Sequence, residues 1–440
     1  MTPEQYLTSN SMDRAPAPQV WGGVECTCNR VGDTYFDQMD CSGHRVRLSD
    51  FEMFAALGIR ALRIGLLWER EDCHTNLRWT TAALARLQEL KIRPIAGLLH
   101  HGSGPSYTGL LDPEFPARLA AYAKRVAGRH PSIDAYTPVN EPNTTARFSG
   151  MYAVWYPHHL SRESYLRALL HQLKGTVLSM REIRRIRPDA QLVQTEDCGS
   201  ISGTEDLRPV WELLNERRWI TFDLLCGRVD RSHRMFEYMR SQAIPERDIL
   251  WFAEHPCPPD IIGINYYATS DRFIDGRLEL YPPDRMSAEG PFVDVEAVRV
   301  KGARLSGFDS LLLEAWQRYR IPVAITEVHL GGQIDEQIRW AAYAWGGIKE
   351  AQRQEACCAA ITFWSLLGSH YWNQLVTCAN GHYEPGVFDV RSGKPVATEL
   401  AGVVRQIAAG KVPRHPALSS TGWWTRPERV CFPVPYLAAA

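Results

Sequence analysis

Two glutamates each stand at the end of a short apolar run. Residues 135–144 read AYTPVNEPNT, so Asn140 and Glu141 end a β-prone run directly before Pro142. Residues 322–331 read PVAITEVHLG, and there Glu327 ends the apolar run. Paired carboxyl groups can divide the work of bond cleavage, because one can act as nucleophile while the other protonates the leaving oxygen. These two stretches indicate such chemistry, provided that the fold brings the glutamates together.

Eight apolar, strand-like runs supply the elements that must position these residues. They are residues 19–25, 61–68, 93–100, 135–141, 191–197, 260–267, 322–328 and 359–366. Each is too apolar for a strand with one face in water, as expected of a parallel sheet covered on both faces. Helical patterns alternate with them, at residues 47–58, 80–91, 113–128, 164–186, 306–320, 335–353 and 395–410. This α/β alternation predicts a closed (β/α)8 TIM barrel; an open doubly wound sheet is less favoured because no glycine-rich phosphate motif follows the first run.

The intervals between runs predict one domain with long loops. A single barrel is expected over residues 1–412, with long insertions at 198–259, 268–305 and 367–394. The first insertion contains a helix or two, and the other two read as loops. Long loops at one end of a barrel usually build the substrate pocket. The proline-rich tail at 413–440 is expected either to pack along the barrel or to lead toward a partner, such as a sugar-modifying domain.

Composition excludes several classes of partner. The 440 residues carry a formal net charge of −1, with 45% hydrophobic and 22% charged residues. No basic block suggests nucleic acid, and no apolar run is long enough to cross a membrane. The first twenty residues lack the apolar segment of a signal peptide, so the sequence predicts a cytoplasmic protein. The 11 cysteines fit no usual zinc spacing and predict free thiols, with neither metal nor other cofactor.

In (β/α)8 barrels the catalytic groups lie at the C-terminal ends of the strands. The polar residues at the ends of the eight runs are therefore expected to form one site. The fourth and seventh strands stand almost opposite each other, so Glu141 and Glu327 can face across a sugar ring. A carboxyl separation of about 5–5.5 Å is typical of retaining glycoside hydrolysis. His100 and His101 follow the third strand and, by strand alternation, are expected to point to opposite sides. The other polar or aromatic residues at these ends are Glu25, Trp68, Asn140, Glu196, Asp197, Asn265, Tyr267 and Trp364.

These motifs, spread from about residue 20 to about residue 400, resemble glycoside hydrolase family 1, the retaining β-glycosidases. The acid/base motif of that family is similar to TPVNEP, which implies that Glu141 is the acid/base and that Asn140 contacts the sugar 2-hydroxyl. Its nucleophile motif resembles AITEV, which implies that Glu327 is the nucleophile. GINYY is similar to a third motif, which implies that Asn265 lies near the acid/base and that the hydroxyl of Tyr267 orients the nucleophile.

Three further motifs imply the surroundings of this pair. LRIGLLW resembles the second strand of the family, so Arg63 is expected beside the nucleophile, holding it ionised. PIAGLLHH implies that His100 binds the sugar. FWSLLGSHYW resembles the eighth-strand motif, which implies that Trp364 forms a platform under the sugar and that Trp372 is its companion.

The sequence departs from the family pattern in the residues expected to recognise the sugar. Asn29 stands where a glutamine normally grips the 3- and 4-hydroxyls, and Tyr371 stands where a glutamate binds the 4- and 6-hydroxyls. Val328 and His329 replace an Asn-Gly pair after the nucleophile. Both Asn29 and Tyr371 are still expected to contact substrate, although lost hydrogen-bonding groups would change which sugar fits.

The sequence therefore predicts a β-glucosidase-like retaining β-glycoside hydrolase that acts by double displacement on a small glycoside or oligosaccharide. The alternatives are a repurposed barrel that binds saccharides or serves as a scaffold, a transglycosidase, and another retaining hydrolase such as an endo-acting, mannanase-like enzyme. Glu25, Glu196 and Asp197 receive no role from the sequence.

Overall fold

Eight parallel strands close into a barrel in the computed structural model, which describes residues 17–71, 73–282, 285–287, 289–303, 305–429 and 431. Each strand pairs with its neighbours along the chain, and the first pairs with the eighth to close the ring. The predicted (β/α)8 fold is confirmed. The strands are β1 Gln19–Gly23, β2 Ala61–Gly65, β3 Arg93–Gly97, β4 Ala135–Thr137, β5 Gln191–Asp197, β6 Ile261–Asn265, β7 Val323–Val328 and β8 Cys358–Phe363.

Helices occupy all seven stretches in which the sequence shows a helical pattern. The described residues also form the short helix Gln38–Cys41 and the helix Pro142–Gly150, neither of which the sequence predicted, and three helices in the first long insertion. No helix in the described ranges is both long and apolar enough to cross a membrane. The helices are α1 Gln38–Cys41, α2 Asp50–Ala55, α3 His74–Glu89, α4 Phe115–Arg129, α5 Pro142–Gly150, α6 Arg162–Ile186, α7 Arg208–Leu225, α8 Arg234–Ser241, α9 Glu246–Glu254, α10 Gly307–Tyr319, α11 Ile334–Arg353 and α12 Leu400–Ala408.

Several strands end earlier than the sequence predicted. β2, β3 and β4 end at Gly65, Gly97 and Thr137, whereas the apolar runs continue for three or four residues beyond. These extra residues are buried in turns under the loops, as Leu98 and Val139 are, so burial alone cannot mark the strand end. His100, Asn140 and Glu141 therefore lie in turns just past the strands, joined there by an isolated bridge between His100 and Asn140.

The insertions after the strands contain β-structure, which corrects the expectation of plain loops. Residues Ile201–Gly203, Arg272–Asp275 and Val293–Glu296 form a three-stranded sheet above β5 and β6. A hairpin of Cys28–Val31 and Thr34–Asp37 follows β1, and short antiparallel pairs follow β8. Strands of two to four residues with mixed exposure give too short a pattern to be recognised in sequence. These additions form walls around the C-terminal end of the barrel.

The barrel interior below the site is closed by a layer with one residue from each strand. The large ring of Trp21 packs there with small and branched residues, as the filled interior of a TIM barrel requires. The eight residues are Trp21, Ala61, Ile95, Ala135, Val193, Ile261, Ala324 and Ala360. This apolar floor gives the polar residues above it a rigid base.

The described part of the predicted tail packs on the barrel. Trp424 is buried and its ring stands edge-on to Trp340 of α11, with centroids 4.8 Å apart. The backbone nitrogen of Trp423 donates to Glu336 Oε2 at 3.0 Å, and Arg339 Nε donates to the carbonyl of Ala417 at 2.8 Å. Residues 413–429 therefore lie against α11, and the end of the predicted tail, 432–440, lies outside the described residues.

Candidate active site

Glu327 is held by two groups from other strands. It lies on β7, 2% exposed, and its Oε1 accepts a hydrogen bond from Arg63 Nη1 at 2.9 Å. Its Oε2 accepts a short hydrogen bond from the hydroxyl of Tyr267, just after β6. Burial raises the pKa of Tyr267 well above its usual value, so this hydroxyl is a neutral donor. Both carboxylate oxygens are thus fixed in place.

Arg63 links the nucleophile candidate to the segment that carries the other glutamate. Its Nη2 donates to Asn140 Oδ1 at 2.6 Å, while Nη1 also donates to the carbonyl of Thr326 at 2.7 Å. The same Asn140 oxygen accepts a hydrogen bond from Thr195 Oγ1 at 2.7 Å. Because a guanidinium is planar and offers donors in fixed directions, this bridge sets the positions of Glu327 and Asn140 together.

Glu141 turns into the site through an unusual backbone conformation. Its φ of 42° is left-handed, a region that costs a non-glycine residue free energy, and Pro142 begins helix α5 directly after it. Glu141 Oε1 accepts a hydrogen bond from Asn265 Nδ2 at 2.6 Å. Asn265 is paired in register with Glu327, so the two glutamates flank one residue of β6.

The two carboxyl groups differ in their electrostatic surroundings. Burial raises the pKa of Glu141 well above its usual value, and the negative charges of Glu327, Asp197 and Glu196 raise it further. Burial also raises the pKa of Glu327, but Arg63 and the hydroxyl of Tyr267 oppose that effect. A proton shared between the pair therefore resides on Glu141, which has no cation at ion-pair distance among the described residues except the poorly basic His101.

His100 and His101 converge on Asn140 instead of pointing apart. Asn140 Nδ2 is 3.3 Å from His100 Nε2 and 3.4 Å from His101 Nε2. The expected alternation of side-chain directions along a strand fails here, because β3 already ends at Gly97 and His101 has a φ of 54°. Burial lowers the pKa of His100 well below its usual value and that of His101 to about 3, so both rings are neutral near pH 7.

Glu25 is a site residue whose role the sequence did not indicate. Its Oε2 accepts hydrogen bonds from Trp364 Nε1 at 3.2 Å and from Trp372 Nε1 at 3.1 Å. Its Oε1 accepts from the backbone nitrogen of Thr27 at 2.8 Å and lies 3.9 Å from His100 Nε2. One buried carboxylate thus gathers three residues that were predicted to bind substrate. The signals were its position at the end of the first apolar run and within the stretch WGGVECTCNRVG, which resembles the first-strand motif of the family.

Trp364 lies between two of its neighbours. Its ring stacks on His100 at a centroid distance of 5.1 Å and an interplanar angle of 7°, and the Arg63 guanidinium carbon lies 4.7 Å from the ring centroid. Only 5% of the residue is exposed. Its predicted function as a sugar platform stays a prediction.

The two residues that depart from the family pattern have different surroundings. Asn29 is fully buried, and neither its Oδ1 nor its Nδ2 has a hydrogen-bond partner in the described part of the chain. Tyr371 lies at the rim, where its hydroxyl contacts the thiol of Cys41 and its ring lies beside His370. The described contacts of Glu141 and Glu327 do not include Tyr371, so the structure does not bring it to these two glutamates.

Glu196 stabilises the start of helix α5. Its carboxylate accepts hydrogen bonds from the backbone nitrogens of Asn143 at 2.9 Å and Thr144 at 3.3 Å, and from Thr221 Oγ1 at 2.7 Å. Burial raises its pKa to about 7. Since the first turn of a helix has free backbone N–H groups, Glu196 fixes the turn that carries Glu141.

Two groups of side chains in the described ranges lie close enough together to hold a cation. Neither group includes a residue of the site above, and in the first one Arg318 already donates to Asp223 at 2.6 Å. The groups are Glu216, Asp223 and His233, and Asp335, Glu399 and His415.

Comparisons with known proteins place the fold beside the family 1 β-glucosidases. No family model and no curated protein matches the sequence. The family 1 β-glucosidase from Thermotoga maritima in complex with isofagomine lactam is similar in structure, with a TM-score of 0.72 and 16% identity over 90% of this chain and 98% of that one. The β-glucosidase from Thermotoga maritima in complex with cyclophellitol gives a TM-score of 0.72 and 16% identity over 92% and 100%. The chain therefore has the fold of these enzymes with a highly divergent sequence.

Proposed function

We propose that this protein is a retaining β-glycosidase in which Glu327 is the nucleophile and Glu141 the acid/base. The observation that carries the proposal is the asymmetry of the pair. Glu327 is held by Arg63 and Tyr267, whereas Glu141 sits on the other side of Asn265 with its proton favoured by burial and by the charge of Glu327. The shared fold with family 1 β-glucosidases supports the same reaction class.

The first step forms a bond from Glu327 to the anomeric carbon while the bond to the leaving oxygen breaks. Glu141 delivers its proton to that oxygen, so the leaving group departs as a neutral alcohol. Arg63 and Tyr267 keep the attacking carboxylate ionised and oriented before the bond forms. The product of this step is a glycosyl ester on Glu327.

The second step reverses the function of Glu141. Once Glu327 is esterified, its negative charge no longer raises the pKa of Glu141, so the ionised form of Glu141 becomes accessible. Glu141 then takes a proton from water as the water attacks the anomeric carbon, and Glu327 is released. Two inversions at that carbon leave the β-configuration unchanged.

We propose that the sugar ring binds among the polar groups beside the pair. Asn140 Nδ2 lies 3.3 Å from the neutral imidazole of His100, and that imidazole lies 3.9 Å from the carboxylate of Glu25. The buried, unpaired amide of Asn29 belongs to the hairpin after β1. This set differs from the family pattern, so we propose a β-glycoside whose sugar need not be glucose.

The test is chemical rescue of a Glu327→Gly variant with a panel of aryl β-glycosides. The wild type should release the aryl group with retention, and the variant should lose turnover by a factor of about 10³ or more. Added azide should restore aryl release from the variant and give a glycosyl azide of inverted configuration. Full activity of the variant without azide would contradict the proposal, as would binding without turnover by the wild type across the panel.

A further inference from the structure

A separate cavity lies along the helix that begins after Glu141. It has a volume of about 440 Å³, and its lining includes Asn143, Thr144 and Arg147 from α5. Asp197, at the end of β5, forms part of the opposite wall. Asp197 pairs in register with Asn265, whose Nδ2 donates to Glu141 Oε1 at 2.6 Å, so one wall of the cavity lies one strand away from the candidate acid/base.

Arg147 differs from the other three arginines that line the cavity. Each of the others forms an ion pair with a carboxylate: Arg217 with Glu289, Arg218 with Glu314, and Arg272 with Asp294. Arg147 has no carboxylate at ion-pair distance among the described residues. Its one hydrogen bond is a long contact from Nη2 to Thr144 Oγ1 at 3.3 Å, and its buried Nε has no partner in that part of the chain.

Arg147 feels the charge of Asp197 but forms no ion pair with it at bonding distance. A half-buried cation without a bonded carboxylate is costly, and the cost falls when a ligand supplies one. A guanidinium suits a planar carboxylate, because it can form two parallel hydrogen bonds to it. The carboxyl group of Asp197 lines the same cavity; burial raises its pKa, whereas the charge of Arg147 and a hydrogen bond with Ser270 lower it. The side chains of Phe148 and Leu214 supply an apolar surface for the body of a ligand.

We propose that this cavity binds the leaving group of the substrate and that Arg147 recognises a carboxylate on it. The inference rests on the proposed glycosidase function, in which Glu141 protonates the leaving oxygen. That step puts the leaving group on the side of Glu141, where α5 and the cavity lie. The substrate class is then a β-glycoside whose leaving group is a hydroxy acid with an aromatic or aliphatic body. The hydroxyl of that acid forms the glycosidic bond, and its carboxylate stays free.

The first test measures binding without turnover, so it does not depend on the glycosidase activity. Calorimetric titration compares 4-hydroxybenzoate with 4-hydroxybenzamide, a neutral compound of nearly the same shape. The wild type should bind the carboxylate about tenfold more tightly or better, since hydrogen bonds between charged groups are the stronger ones. Arg147→Gln should abolish this preference, and Arg147→Lys should restore part of it.

The matched control is Arg208→Gln, which removes a positive charge from the exposed start of α7 without touching the cavity lining. It should keep the preference of the wild type. Equal binding of the two compounds by the wild type would overturn the inference, and so would a preference that survives in Arg147→Gln.

The second test measures turnover of 4-carboxyphenyl and 4-carbamoylphenyl β-glycosides. Arg147→Gln should lower the ratio of kcat/KM for the charged over the neutral substrate about tenfold, mainly through KM. A ratio unchanged from the wild type would contradict leaving-group recognition. If the wild type cleaves neither substrate, the proposed function fails, while the binding measurement still decides whether Arg147 holds a carboxylate.

Discussion

At the scale of single residues, the two glutamates of the site are both buried but are surrounded by different groups. Glu327 receives donors from Arg63 and Tyr267, while Glu141 receives one amide donor from Asn265 and is surrounded by negative charge. Equal carboxyl groups thus acquire unequal pKa values, as catalysis by a nucleophile and an acid requires. The difference comes from neighbours on other strands, since each glutamate simply ends an apolar run in the sequence.

The proposed acid function of Glu141 predicts a dependence on the leaving group. Glu141→Ala should lower kcat/KM for alkyl β-glycosides about 10²–10⁴-fold, because a poor leaving group needs a proton. For 2,4-dinitrophenyl glycosides the first step should be nearly as fast as in the wild type. Steady-state and pre-steady-state kinetics on both classes check this, with the exposed Glu254→Ala as control. Equal losses for good and poor leaving groups would be inconsistent with an acid function.

Glu25 predicts a shift in the acid limb of the pH profile. Its negative charge raises the pKa of Glu327, so Glu25→Gln should lower that pKa and move the acid limb of kcat/KM to lower pH. The variant should also lose about tenfold in kcat/KM, because charge-assisted hydrogen bonds to Trp364 and Trp372 are weakened. A pH–rate profile of the variant beside Glu254→Gln measures both effects. An acid limb at the same pH as in the wild type would show that the charge of Glu25 does not affect the pKa of Glu327.

At the scale of elements, the wall above β5 and β6 depends on an ion pair between a loop and a helix. Glu289, in the segment after β6, pairs with Arg217 of α7 and accepts a hydrogen bond from the hydroxyl of Tyr152 at 2.7 Å. Burial alone would raise the pKa of Glu289, but Arg217 and Tyr152 hold it at about 2. Three separate elements therefore meet at one carboxylate.

This ion pair predicts a stability difference that depends on pH. Near pH 7, Glu289→Gln should lower the free energy of unfolding by about 3–5 kcal/mol, because Arg217 is left buried without a counter-ion. The folded-state pKa of Glu289 lies below its ordinary value of 4.5, so the stabilisation is complete above pH 4.5 and is lost as the pH falls toward about 2.

Urea unfolding of wild type and variant at several pH values checks this expectation. The difference in free energy of unfolding between wild type and Glu289→Gln should narrow as the pH falls below about 4.5. Glu163→Gln removes the same charge from an exposed pair with Arg167 and should cost about 0–1 kcal/mol. If Glu289→Gln lost no more free energy of unfolding than this control, the ion pair of Arg217 and Glu289 would not stabilise this part of the structure.

Element order was predictable from the sequence, whereas the structure of the insertions was not. The strand runs and helical patterns are local features, so the sequence reveals them directly. The sheet formed by Ile201–Gly203, Arg272–Asp275 and Val293–Glu296 joins segments far apart in the chain, each too short for a clear pattern. Helix α5 was hidden for a related reason, because its first turn is stabilised by Glu196 from another strand.

At the scale of the whole molecule, closure of the barrel brings distant residues into one site. Glu25 and Trp364 are 339 positions apart, and Arg63 and Glu327 are 264 positions apart. Sequence motifs could indicate Arg63 and Glu327, because the resemblance to family 1 covers both. The first-strand motif WGGVECTCNRVG spans Glu25 but gave it no role, and its contacts appear only when β1 and β8 are paired. Motifs thus identified the candidate pair, while the surrounding contacts required the fold.

The barrel also separates two regions around the pair. The side of β1, β3 and β8 gathers Glu25, His100 and Trp364, whereas residues of α5 and the end of β5 line the cavity of Arg147. The proposed reaction uses this division, with the sugar on the first side and the leaving group on the second.

The most direct test of the central claim is covalent trapping of the nucleophile. Once the glycoside panel identifies a sugar that is released, the corresponding 2-deoxy-2-fluoro glycoside with a 2,4-dinitrophenyl leaving group should inactivate the wild type. Mass spectrometry of the digested protein should then show one glycosyl group on the peptide that carries Glu327, and Glu327→Gln should remain unlabelled. A label on Glu141, on Glu25 or on any other residue, or equal labelling of Glu327→Gln, would contradict double displacement through Glu327.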